Sequence, residues 1–167
     1  MRAHGQKIFR YAMTMTNNRA SAEDVRQQTF ADAYRDFAQV ADATSLRRWL
    51  YGIAHHRCLD AVHGQRRWYQ RYKSEPPDEG EPADVDAASA ADVVIDRARW
   101  RQLLWKCIDT LKPTSRAAVL LRFGEQLRYD DAAEIAGARS STMQRRVSRA
   151  LPVLRKCLER KSRGGVR

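Results

Sequence analysis

The chain has 167 residues, 43% of them hydrophobic, enough for one ordinary domain or two small ones. Its 31 Lys and Arg against 20 Asp and Glu leave a net charge of +11, a field that draws polyanions such as nucleic acid or anionic lipid. The opening MRAHGQKIFRYAMTMTNN lacks the apolar run of a signal peptide, and no stretch holds 18 consecutive apolar residues. A soluble, cytoplasmic protein without membrane insertion is expected. Cys58, Cys107 and Cys157 are odd in number and far apart, so they read as reduced, packed thiols and not as a disulfide framework or a zinc site.

Charge divides the chain in three. Residues 1–73 carry 13 basic and 6 acidic side chains, 74–92 carry 0 and 7, and 93–167 carry 18 and 7. The middle stretch, SEPPDEGEPADVDAASAAD, holds three of the five prolines and no aromatic residue, too little apolar surface to offset the entropy of ordering. It reads as a flexible acidic linker between two small helical domains, an all-α architecture. A solvated loop inside a single domain is the alternative.

In the first module Ser21 precedes Glu23 and Asp24, as an N-cap followed by carboxylates at the positive end of a helix. Val25, Thr29, Ala33 and Phe37 then form a stripe at spacing four. A second, long helix is expected after Ser45, with Leu46, Trp49, Leu50, Ile53 and Ala54 inward and Arg47, Arg48, Tyr51, His55 and His56 outward. Further along it, Arg66, Arg67, Arg71 and Lys73 interleave with Trp68, Tyr69 and Tyr72, a surface suited to phosphates and stacked bases.

In the last module Trp100, Leu103, Leu104, Cys107, Ile108 and Leu111 make an amphipathic helix that ends at Lys112 and Pro113. A helix over 114–123 follows, then a short one over 129–136, a turn at Gly137 and Ala138, and a longer helix capped by Ser140 or Ser141. Short helix, glycine turn and capped second helix form a helix-turn-helix within a four-helix domain. On the last helix Met143, Val147, Ala150, Leu151, Leu154 and Leu158 gather on one side, opposite Ser141, Arg145, Ser148 and Arg149, with Thr142 and Gln144 flanking. The polar side suits base edges and phosphates in a major groove. Pro152 should kink or end this helix.

Three runs resemble the extracytoplasmic-function group of bacterial sigma factors: AEDVRQQTF (22–30), SLRRWLYGIAHHRCLD (45–60) and RFGEQLRYDDAAEIAGARSSTMQRRVSRA (122–150). The resemblance implies a transcription initiation factor with no catalytic chemistry and no cofactor, partnered by core RNA polymerase, promoter DNA and an anti-sigma protein. By position it implies polymerase contacts at Asp24, Gln27, Gln28 and Phe30, and minus-10 DNA contacts at Arg47, Arg48, Trp49, His56, Arg57, Arg66 and Arg67. The segment 37–45 falls where the family captures a flipped base. Minus-35 contacts are implied at Arg122, Ser141, Thr142, Gln144, Arg145 and Arg149, and the linker is implied to thread the RNA exit channel. Gln28, His56 and Arg145 depart from the residues usual there, and the chain starts closer to its first helix than the family pattern.

Two other readings compete. His55, His56 and Cys58 could supply metal ligands for an enzyme, but adjacent helical histidines diverge by about 100° and no second ligand pair stands at zinc spacing. A helix-turn-helix regulator that binds operator DNA without polymerase would explain the last module and would use the first for ligand or dimer contacts.

Overall fold

The computed structural model describes residues 2–37, 43–72 and 91–163, and every regular element among them is helical. In chain order these are α1 (Arg2–Thr16), α2 (Arg19–Arg35), α3 (Ala43–Tyr72), α4 (Ala91–Asp109), α5 (Pro113–Val119), α6 (Tyr129–Ile135) and α7 (Ser140–Arg163). A single wide turn, Leu120–Gly124, extends α5. The expected linker falls almost wholly on 73–90, outside the described residues, as does most of the expected base-capture segment (38–42).

Helix α1 forms because Ile8, Tyr11, Ala12 and Met15 recur at i, i+3, i+4 and i+7, and all four are buried. Asn17, at φ 49°, reverses the chain, and Asn18 caps α2 by accepting the Ser21 amide at 2.9 Å. The cap is therefore Asn18 and not Ser21, which already lies inside the helix. The α2 stripe holds at Val25, Thr29 and Ala33, but α2 ends at Arg35 and Phe37 stands 57% exposed.

Helix α3 buries Leu50, Ala54 and Cys58 as its periodicity requires. Tyr51 and His55, expected outside, are buried too, because α1 packs over that side. The Tyr11 hydroxyl and His55 Nδ1 share a hydrogen bond of 2.9 Å, and the Tyr11 and Tyr51 rings meet edge to face at 5.5 Å between centroids. Desolvation drives the His55 imidazole down to about 4, with His56 and Arg146 adding to the effect, so it sits neutral.

The helix-turn-helix forms as the sequence indicated. Gly137, at φ 55°, makes the turn after α6, and the Ala138 amide reaches back to the Ala133 carbonyl at 2.9 Å. The Arg139 carbonyl accepts the first bonds of α7, from Thr142 and Met143, so Ser140 opens the helix and does not precede it. Pro152 does not end α7, which runs through it to Arg163. Met143, Val147, Ala150 and Leu154 are buried, whereas Leu151 of the expected apolar side is exposed. On α4, Cys107 and Ile108 are buried, with Leu111 just beyond its end, but Trp100 and Leu104 remain exposed.

The two modules are packed together. One apolar cluster runs from Ile8, Tyr11, Leu50 and Ala54 of the first into Leu121, Leu127, Ala132 and Ile135 of the second. A smaller cluster, with Cys107, Ile108, Leu111, Val119, Ala150 and Leu154, joins α4 to α7. There Cys107 and Cys157 form a disulfide, which corrects the expectation of reduced thiols; Cys58 alone stays free, and it is buried. Fifty residues separate the two in sequence, and spacing along the chain carries no record of helices packed side by side.

Candidate nucleic-acid and polymerase interfaces

The outer face of α7 carries the clearest surface. Ser141, Gln144, Arg145, Ser148 and Arg149 are exposed and Thr142 half-buried, on the side opposite the buried Met143 and Val147. This follows from 3.6 residues per turn: once one side is committed to the core, the other is free. No acidic side chain pairs with Arg145 or Arg149 among the described residues.

Beside this face lies an open recess of about 260 Å³ lined by Arg122, Arg128, Tyr129, Asp130, Ser140 and Gln144. The Arg122 guanidinium stacks over the Tyr129 ring at 5.0 Å and donates to the Leu127 carbonyl at 3.0 Å, which fixes its plane at the rim. The first turns of α6 and α7 open nearby, and their unpaired amides add positive potential. Together with the exposed arginines, this makes a cationic surface whose chemistry suits a polyanionic backbone.

On α2, Asp24, Gln27 and Gln28 are exposed while Phe30 is half-buried against the main core. Glu23 receives Arg26 and, at 3.1 Å, the Gln27 amide, and these donors hold its carboxyl down at about 2. The Gln27 side chain is thereby oriented from its own helix, leaving Asp24 and Gln28 to face outward.

The residues expected on minus-10 DNA divide into three sets. His56 and Arg67 are exposed on α3. Arg57 is held by Asp32 of α2 through bonds of 3.1 and 2.7 Å, and Trp49 is half-buried against the core. Arg47 and Arg48 turn toward the second module: Arg47 Nη2 donates to the Glu125 carbonyl at 2.6 Å, and Arg48 Nη1 meets Asp131 at 3.0 Å and Glu134 at 3.3 Å. The side chains of Arg66, Trp68, Tyr69, Arg71 and Tyr72, and all of Lys73, lie outside the described residues.

Sequence reasoning missed Arg116. It is buried at the start of α5, pairs with Asp109 at 2.7 Å, and donates to the carbonyls of Thr14 and Met15 at 3.2 and 3.0 Å. Those carbonyls end α1, where helical acceptors lack intrahelical donors, so an arginine of one module caps a helix of the other. Its lone signal in sequence is a charged residue on the inward face of a short helix.

Comparison with known proteins gives a consistent picture. A family profile described as Sigma-70 region 2 matches residues 1–68, and one described as Sigma-70, region 4 matches 101–151. The chain is 30% identical to the ECF RNA polymerase sigma factor SigE of Mycolicibacterium smegmatis, over 97% of this chain and 61% of that protein. It is 27% identical to the RNA polymerase sigma factor YlaC of Bacillus subtilis, over 93% of this chain and 87% of that one. Of SigG of Mycobacterium tuberculosis the chain spans 44%, at 29% identity. The fold matches that of the sigma factor RpoE, solved in complex with the anti-sigma factor NepR from Bartonella quintana. The TM-score is 0.75 over 93% of this chain and 91% of that one, at 22% identity.

Proposed function

The chain belongs to the extracytoplasmic-function group of sigma-70 factors, and from that membership we propose that it binds core RNA polymerase and directs promoter recognition, DNA melting and initiation. Sigma factors are non-enzymatic subunits, and the chemistry of RNA synthesis belongs to the polymerase. The observation that carries the reading is the ordered pair of regions: region 2 on α1 to α3, region 4 on α4 to α7, the latter presenting the exposed arginine face of α7.

In this reading Asp24, Gln27, Gln28 and Phe30 meet the large polymerase subunits. Ser141, Thr142, Gln144, Arg145 and Arg149 enter the minus-35 major groove, with Arg122 on the adjoining backbone. His56, Arg57, Arg66, Arg67 and Trp49 serve minus-10 DNA, and Arg47 and Arg48 join them once the modules separate. The stretch 74–92, whose last two residues Ala91 and Asp92 already open α4, is the proposed connection between domains at 1–73 and 93–167. An anti-sigma protein is a further proposed partner, as NepR is for the structurally similar RpoE. None of the described helices is long and apolar enough to cross a membrane, and the proposed site of action is the cytoplasm, with polymerase.

Transcription in vitro with core polymerase and a cognate promoter tests this. Initiation that depends on the chain supports it. Tight operator binding with no initiation overturns it in favour of a helix-turn-helix regulator, a reading that leaves the region 2 match unexplained.

A further inference from the structure

The Cys107–Cys157 pair touches neither the DNA face nor the polymerase face, so those roles do not account for it. Its Cα atoms stand 5.8 Å apart, within the span that a disulfide bridges without moving the backbone. Cys107 lies fully buried near the end of α4, and Cys157 lies nearly buried on α7, five residues beyond Pro152. Pro152 has no amide to give the Ser148 carbonyl, so the hydrogen-bond ladder of α7 is interrupted between its reading half and its tail. Past that point Leu154, Cys157 and Leu158 hold the tail to α4, while Val153 is exposed. The bond therefore ties the part of α7 beyond this interruption to α4.

We propose that Cys107 and Cys157 are a reversible oxidation site, closed by a peroxide and opened by a thiol reductant, which braces the tail of α7 on α4 beneath the reading face. The thiolate is the reacting form of a thiol, and Cys157, slightly the more accessible of the two, supplies it. That thiolate attacks one oxygen of hydrogen peroxide and breaks the O–O bond. The sulfur becomes a sulfenic acid, and the departing oxygen leaves as water once protonated. Cys107 then attacks the sulfenic sulfur and displaces a second water. Two thiols and one peroxide give one disulfide and two waters, and a dithiol reverses the change by exchange through a mixed disulfide. Burial pushes the Cys58 thiol up to about 12, so it does not compete.

The consequence for DNA rests on the proposed function, but the test does not. The full chain is reduced with dithiothreitol, desalted, treated with hydrogen peroxide, alkylated and mapped by peptide mass. The expected product joins the peptides of Cys107 and Cys157 within one chain, is two hydrogens lighter, and is undone by dithiothreitol. Closing this 50-residue separation raises Tm by roughly 5 to 10 °C and slows proteolytic removal of the α7 tail. Cys107→Ala and Cys157→Ala, which put no new polar atom in the cluster, show no rise in Tm with peroxide. A bridge to Cys58, a bridge between chains, oxidation that stops at sulfinic acid, or a closed bond with unchanged Tm and proteolysis would each overturn the proposal. Loss of promoter activity with the redox response intact would count against the sigma reading alone.

Discussion

Arg48 on α3 and Asp131 on α6 meet at 3.0 Å although 83 residues separate them, so a guanidinium expected on promoter DNA is held by a carboxylate of the helix-turn-helix. The pair joins Arg48 with Glu134 at 3.3 Å and Arg47 with Glu125 at 3.4 Å in one charged seam between the modules. A cation in that seam cannot also neutralise a phosphate, so the packed arrangement and the DNA-bound one exclude each other at these two residues.

Removing the seam should open the chain. Partly exposed pairs of this kind contribute about 0.5 kcal/mol each, so Glu125→Gln, Asp131→Asn and Glu134→Gln together should favour separated modules roughly tenfold. Energy transfer between labels on α2 and α7 should fall, and rising salt should mimic the change in the native chain. Unchanged transfer in the triple variant would assign the closure to the shared apolar cluster instead.

Arg116 gives a larger effect because it is itself buried, as is Met15, whose carbonyl it caps. Arg116→Ala removes the donors to the Thr14 and Met15 carbonyls and the ion pair to Asp109, and should cost roughly 3 kcal/mol in urea unfolding. Arg116→Lys, with a point charge in place of a planar fork, should recover less than half of it. A loss under 1 kcal/mol for the alanine variant would refute the cap.

Acid should weaken the fold through His55. Its folded value of about 4 lies below the ordinary 6.5, so between these pH values the unfolded chain binds a proton that the folded one refuses. The contribution is complete above pH 6.5, declines as pH falls toward 4, and is worth up to about 3 kcal/mol. Urea midpoints measured across this window should drop with acid in the native chain and drop much less in His55→Leu.

On the reading face, Arg145→Ala and Arg149→Ala should each weaken promoter binding by about 1 to 3 kcal/mol if they contact bases. Competition with scrambled minus-35 DNA separates the roles: a loss confined to cognate sequence marks a base contact, and an equal loss on all duplexes marks a phosphate contact.

Local signals proved legible wherever one helix face answered to one core. The α7 pattern placed Met143 and Val147 inside and Arg145 and Arg149 outside, and Gly137 marked the turn, because period and backbone conformation are properties of a few neighbouring residues. The same logic failed at Tyr51 and His55, whose side of α3 is covered by α1, and at Trp100 and Leu104, which stay 47% and 38% exposed. Periodicity states that a face is apolar, not what packs on it.

The sequence by itself thus determined the charge of the chain, its helices, its helix-turn-helix and the family to which its motifs belong. Tertiary structure decided that the modules share a core, that Arg47, Arg48 and Arg116 are spent between them, and that Cys107 meets Cys157. The reason is range. Helix formation is settled within a few turns, whereas these contacts join residues 50 to 102 positions apart, and only the packing of whole helices brings such partners together.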